Sequence, residues 1–297
     1  MIFINYYDEI KNELVNNEIT KKVKDYSKNR SDLITYYNVG KLLFEAGKHY
    51  GEGIIKEYSK RLTNEFGTKF GITLLKRIRQ FYIVIEKGAT MSHQLSWSHY
   101  CELLPVNSID KINYYIKITK EQNLSIRELR TKIKNNEYER LDESTKEKLK
   151  EKEKLKLPDL VKNPIQIKNT SGNNEISEKI LQKLILEDIP FFLKELGNGF
   201  CFINNEYKIK IGDRYNYIDL LLYNYEFNCF VVVELKITEL KKEHIGQIEF
   251  YMNYIDKNLK SINQNKTIGI IICKKENKYV IEYCSDDRII SREYELI

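Results

Sequence analysis

Three ionisable residues stand where an apolar chain has little reason to put them. In IDLLLYNYEFNCFVVVELK, residues 218–236, Asp219 opens one apolar run, and Glu234 and Lys236 close the next. A strand as apolar as Phe230-Val231-Val232-Val233 belongs in the middle of a sheet, where an ionised group is costly unless something pairs with it. Glu234 and Lys236 are two residues apart, so on a strand both side chains leave one face. If the runs 215–223 and 229–237 fold back antiparallel at Asn224–Asn228, Asp219 comes within reach of the end of the second strand. Two carboxylates meeting there repel each other unless a cation lies between them. Their hard oxygens suit Mg²⁺, with Mn²⁺ as a substitute, and such ions take one or two protein carboxylates plus a substrate phosphate. A lysine beside them can orient or deprotonate an attacking water, or stabilise charge that develops at phosphorus. Asp followed one hairpin later by Glu-x-Lys is thus an arrangement for phosphodiester hydrolysis. The bland alternative is a cross-strand salt bridge at a sheet end. Downstream, Gln247 and Tyr251 are four apart on one helical face and join the same group.

A second set of residues has the chemistry to contact phosphates and base edges. In ITLLKRIRQFYIVIE, 72–86, helical periodicity gathers Leu75, Ile78, Phe81, Tyr82 and Ile85 on one side. Thr73, Lys76, Arg77 and Gln80 gather opposite, with Arg79 at the boundary, and these types suit DNA contact. An ordinary solvated helix face has the same appearance. The preceding helix at 54–66 and the turn GTKFG, 67–71, complete helix-turn-helix spacing.

Around these sets the chain divides by pattern. From Asp32 to Arg140 it is helical, with helices expected at 31–51, 54–66, 72–86 and around 108–122, and a capping box at Ser125 and Glu128. Residues 141–174 alternate charge and then carry two prolines and a Ser-Gly-Asn-Asn cluster, which reads as a charged linker. From 175 the order is a helix at 175–196, strands at 200–211, 215–223 and 229–237, a helix at 241–259 and a strand at 267–274. Two short strands at 278–284 and 291–297 follow. A strand meander feeding a helical crossover makes a mixed sheet with helices packed on it. The expected fold class is α+β, with domains at 1–140 and 175–297.

Charge follows the same division. Residues 1–140 hold 24 Lys+Arg against 17 Asp+Glu, and residues 171–297 hold 17 against 20. A basic first part suits a polyanion, and a slightly acidic second part suits cations. No apolar run is long enough for a membrane span, and MIFINYYDEI lacks the pattern of a signal peptide. The five cysteines are scattered without a CxxC pair, so a cytoplasmic protein with free thiols is expected. His93 and His99, six apart, fit no metal spacing and are assigned to a packed helix start beside Trp97. Cys229 and Cys273 read as core thiols. His244 reads as a surface residue near the site. No phosphate-cradling glycine loop or Ser-His-Asp order supports ATP use or acyl chemistry.

Taken in order, Asp219, Glu234-Leu235-Lys236 and Gln247-x-x-x-Tyr251 on an αβββαβ pattern resemble the PD-(D/E)xK nuclease superfamily. More closely, YNYIDLLLY, VVVELK, Gly246-Gln247 and TIGIIICK resemble the YhcG-like family, and so do YYNVGKLL, LLKRIRQFY, LSWSHYCELL and SIRELRTKI in the first part. The resemblance covers about residues 30–297. It implies a helical, winged-helix-like DNA-binding domain followed by a restriction-endonuclease-like domain. It also implies that Asp219, Glu234 and the Leu235 carbonyl hold the metal, that Lys236 is the catalytic lysine and that Gln247 positions water or phosphate. Superfamily members often add a glutamate from the first helix, here Glu178, although this chain has Gln182 where related sequences place a second one. The implied protein is a metal-dependent endonuclease on duplex DNA, acting as a homodimer, with a role in defence against foreign DNA beside restriction-modification proteins. The rival readings are a catalytically silent DNA-binding protein and an RNA-directed nuclease.

Overall fold

The structure is a computed structural model that describes residues 6–23, 28–51, 53–170, 172, 175–284 and 286–297. It forms two compact units, Met1–Tyr138 and Glu139–Ile297. Among the described residues no helix is long and apolar enough to cross a membrane.

Every described regular element of the first unit is helical: α1 (Tyr6–Val23), α2 (Lys28–Tyr50), α3 (Ile54–Phe66), α4 (Ile72–Glu86), α5 (Trp97–Leu103), α6 (Ile109–Glu121) and α7 (Ile126–Lys134). The β wing of a winged helix is not among them. Helix α1 was not legible in the sequence, yet it buries Tyr7, Ile10 and Leu14 against α2 and α3. One apolar cluster joins α1 to α4, and a second joins α4 to α7. Trp97 packs on both, 4.6 Å from the Tyr36 ring and 5.5 Å from Phe81. His99 caps the start of α5 through Ser96 and approaches the Leu124 carbonyl at 3.1 Å, a structural role as its spacing suggested. Gly40 lets α2 and α4 cross closely, since a Cβ there would lie 2.5 Å from the Ile78 carbonyl oxygen.

The second unit contains α8 (Glu143–Glu151), α9 (Leu157–Leu160), β1 (Ile165–Ile167), α10 (Glu178–Glu187), α11 (Ile189–Leu196), β2 (Phe200–Ile211), β3 (Arg214–Asn224), β4 (Cys229–Glu239), α12 (Lys242–Asn258), β5 (Ile268–Lys275), α13 (Lys278–Glu282) and β6 (Ile289–Leu296). Its mixed sheet has the order β1-β6-β5-β4-β3-β2. The meander β2–β3–β4 is antiparallel because short turns join its strands, and α12 carries the chain over to make β5 parallel to β4. Helices α10 and α11 cover one face through Leu181, Ile185 and Phe192, and α12 covers the other through Ile248, Met252 and Ile255. Gly269 on β5 sets how closely α12 approaches, because a Cβ there would lie 2.6 Å from Met252 Sδ.

Three expectations differ from the structure. Of the linker expected at 141–174, residues 141–170 are folded onto the second unit: Leu157, Val161, Ile165 and Ile167 are buried, and β1 pairs with β6. Arg292 ties it down by donating to Asp142, Pro158 O and Val161 O. The helix expected at 175–196 breaks in two, because Asp188 caps a new helix at the Phe191 amide and Pro190 sits in its first turn. The strand expected at 278–284 is helix α13 over Lys278–Glu282, capped by Asn277.

Candidate active site

The site forms where two strands part. The β3–β4 ladder ends at Leu220 and Val233, so the next pair outward is Asp219 and Glu234. From there β3 continues with β2, while β4 continues with β5, where Glu234 pairs with Ile271 and Lys236 with Cys273. The fork would strand the Leu235 amide, and Asp219 satisfies it: Oδ2 accepts that N–H at 2.8 Å. Alternation along β4 sends Val231, Val233 and Leu235 into the cluster under α10 and α11. Glu234 and Lys236 take the parity of Val232, which packs with α12.

Burial makes this a high-energy arrangement. Glu234 is 1% exposed and Lys236 8%. Lys236 Nζ lies 3.2 Å from Glu234 Oε2, and Glu234 Oε1 is buried with no hydrogen-bond partner. Burial, reinforced by the Asp219 carboxylate and only partly opposed by Lys236, pushes the Glu234 carboxyl up to about 8. Asp219 is also pushed up, by burial first, against the Leu235 amide and Lys236 and with help from Glu178 and Glu206.

Helices supply the rest. Glu178 occupies the first turn of α10 and brings Oε2 to 3.9 Å from Lys236 Nζ. Gln182, one turn on and 8% exposed, donates Nε2 to the Asp219 carbonyl oxygen at 3.0 Å. The amide that replaces a second glutamate therefore anchors the backbone of Asp219. On α12, Gln247 Nε2 donates to the Tyr251 hydroxyl at 3.3 Å. Burial, with Glu234 and Asp219 behind it, pushes the Tyr251 phenol up.

Two more residues belong to the group. His244, one turn before Gln247, is half-buried, and burial together with the Lys236 charge pushes its imidazole down. Glu206 takes the position across from Asp219 on β2 and has a left-handed backbone, φ 47°. Such a conformation is strained for a non-glycine residue and concentrates near functional sites. The only sequence signal for it was the polar run Asn204-Asn205-Glu206 inside a strand.

Asp219, Glu234, Lys236, Gln247, Tyr251 and Glu178 are thus brought together by β3, β4, α10 and α12. Thr73, Lys76, Arg77 and Gln80 are exposed on α4 in the first unit, and Arg79 is half-buried. Leu75, Ile78, Phe81, Tyr82 and Val84 form the buried side of that helix.

The residues fit a divalent cation. Among the described residues no three His, Cys, Asp or Glu side chains form a closed ligand cluster. One buried and one half-buried carboxylate, with one oxygen of Glu234 orphaned, instead form an open donor set, which suits an ion that keeps waters and takes substrate oxygens.

A carboxylate pair and lysine at the fork of a mixed, helix-flanked sheet define a restriction-endonuclease-like fold of the PD-(D/E)xK class. Residues 158–296 match the YhcG PDDEXK nuclease domain, and residues 9–140 match the DUF1016 N-terminal domain. By these matches the chain joins a DUF1016 N-terminal domain to a YhcG PDDEXK nuclease domain. It is 24% identical over 309 residues to "Putative nuclease YhcG" of Escherichia coli (strain K12), across 88% of this chain and 82% of that one. Among solved structures it is similar to a repair endonuclease from Pyrococcus abyssi, at 19% identity over 43% of this chain and 49% of that one, with a TM-score of 0.29. It is similar, too, to the structure of an EndoMS–dsDNA complex, at 19% identity over 43% and 48%, with a TM-score of 0.29. The chain spans about half the length of those two chains.

Proposed function

We propose that this nuclease is a divalent-metal-dependent endodeoxyribonuclease that hydrolyses phosphodiester bonds in DNA at the β3–β4 fork. The observation that carries this reading is the Glu234 carboxylate, buried beside Asp219 and Lys236 with one oxygen unpartnered. A structural salt bridge would satisfy both oxygens, and a binding-only module has no use for the strain of a buried glutamate beside a second, half-buried acid.

Asp219, Glu234 and the Leu235 carbonyl would hold Mg²⁺ or Mn²⁺, which supplies Lewis-acid polarisation of the phosphate and offsets the two carboxylates. Lys236 brings a positive charge to the edge of the site, where it stabilises negative charge developing on the phosphoryl oxygens and orients the attacking water. Glu178, within reach of Lys236, keeps that ammonium over the fork. Gln247, its amide fixed by Tyr251, presents a polar group to water or to the neighbouring phosphate. The exposed face of α4 docks the duplex through Lys76 and Arg77, with Thr73 and Gln80 beside them and the half-buried Arg79 at its boundary. Cutting both strands takes two such sites, so the working form is a homodimer on DNA, which sedimentation of the complex reads directly.

The test is cleavage of supercoiled plasmid and linear duplex with Mg²⁺ or Mn²⁺, comparing wild type with Glu234→Ala. Metal-dependent cutting that falls roughly a hundredfold or more in the variant, with DNA binding retained, is expected. Equal cutting by both proteins would displace the site. Binding without cutting under either metal would make the chain a DNA-binding accessory protein.

A further inference from the structure

The hairpin that carries Asp219 has a second feature that hydrolysis does not use. Across the β2–β3 ladder Lys208 pairs with Tyr217 and Lys210 with Tyr215, so the pleat places these four side chains on one face. The other face is apolar and packed: Ile209 and Ile218 are 1% and 0% exposed. Tyr215 and Tyr217 remain 52% and 51% exposed. The Lys208 ammonium lies 3.8 Å from the Tyr215 ring centroid and that of Lys210 lies 6.0 Å away, which makes rings and cations one patch. Arg214 is exposed at the turn.

Edge protection accounts for part of this. Strand β2 is an edge of the sheet, and lysines there deter pairing with another chain. It does not account for two tyrosine rings standing half in water beside those lysines.

We propose that this face is a stacking platform for unpaired nucleotides of the strand being cut, so that the enzyme takes DNA with single-stranded or frayed segments next to the scissile bond. The half-exposed Tyr217 ring offers a π-face that any base can stack on, Tyr215 with Lys208 over its ring extends the platform, and the flanking cations suit the phosphates between stacked bases. Lys208 and Lys210 supply the cations of this face, while Arg214 at the turn takes the parity of Ile218 on the other. The platform is continuous with the fork: Tyr217 precedes Asp219 by two residues, about 7 Å along a strand and close to the spacing of one nucleotide. The strand's place in the reaction rests on the nuclease reading, whereas the platform's binding does not need cleavage.

The experiment measures fluorescence anisotropy of a labelled 20-mer of dT and of a 20-base-pair duplex with the full chain in EDTA. Wild type is compared with Tyr215→Ala/Tyr217→Ala and with Tyr215→Phe/Tyr217→Phe, after urea melts show that each is folded. The alanine pair is expected to bind the dT strand about tenfold or more weakly, with a much smaller change on duplex, and the phenylalanine pair to bind like wild type. Equal dT binding by all three proteins overturns the platform, and so does an equal loss on both DNAs. With metal restored, wild type is expected to cut a forked duplex faster than a blunt one, and the alanine pair to lose that preference. A wild type that never cuts but shows the binding pattern sinks the nuclease reading alone, and one that cuts without the binding pattern sinks the platform alone.

Discussion

Glu234 stands midway along β4, where that strand parts from β3 among some of the most buried residues of the chain, and its ionisation can be read in the stability of the metal-free protein. Its folded carboxyl is raised to about 8 by burial and by Asp219. Below the ordinary carboxylate range both folded and unfolded chains are protonated there, and no stability is lost. As pH rises toward 8 the unfolded chain releases the proton while the folded chain resists, so this residue costs stability progressively over that window. Glu234→Gln removes the titration. In EDTA the stability of the variant relative to wild type should therefore climb by a few kcal/mol between about pH 4.5 and 8, read from urea melts. A difference that stays flat with pH would show an ordinary paired carboxylate and remove the case for a poised metal ligand. The side chains at the fork were legible because each stands out by type: acids and a lysine at the ends of Val- and Leu-rich runs, and Gln247 and Tyr251 at helical spacing. Gln182 and Glu206 were not, because what marks each is a matter of the main chain. Gln182 holds the Asp219 carbonyl, and Glu206 is set apart by its left-handed φ. Periodicity carries no trace of either.

Among elements, α12 is the one whose placement decides the site, since Gln247 and Tyr251 ride on it and β5 fixes its height. Gly269→Ala would drive a Cβ into Met252 Sδ and Ile248 Cδ1, at 2.6 and 2.9 Å, so α12 or those side chains must shift. The expected result is a loss of about 1–3 kcal/mol together with a fall in cleavage. Gly246, in the same helix as the site, is the control. A Cβ there meets nothing within 4 Å, so Gly246→Ala should gain up to about 1 kcal/mol from helix propensity. Denaturant melts of both variants check this, and a neutral Gly269→Ala would mean that α12 has slack against the sheet. The two glycines look alike in sequence and differ only in what surrounds them. Long, strongly patterned elements were legible in advance, including β2, β3, β4 and α12. Failures came where a local cap outweighed propensity. Asp188 and Pro190 restart a helix inside one apolar run, and Asn277 turns the aromatic and β-branched stretch at 278–282 helical although its side chains favour a strand.

At the scale of the whole chain, the sequence separates a basic part from a slightly acidic one, and the two compact units keep that separation. What composition could not reveal is that 141–170 folds with the second unit. Its charged surface looks like a spacer, and the contacts that hold it, from Arg292 and β6, come from more than a hundred residues away. The excess positive charge lies in the first unit, and there α4 carries Lys76 and Arg77 on its exposed side while its other side is buried in the helical core. If these two residues neutralise phosphates, each releases counterions on binding, and duplex affinity depends on salt in proportion to their number. Lys76→Ala/Arg77→Ala should then weaken duplex binding and reduce the slope of log affinity against log salt by about 1.8, from roughly 0.9 per phosphate contact. Both residues are exposed, so the fold and its melting should be unchanged. Binding titrations of one duplex from about 50 to 200 mM salt measure the slope directly. A parallel, unshifted line for the double variant would make this face of α4 ordinary solvated surface and move the search for duplex contacts elsewhere on the basic unit.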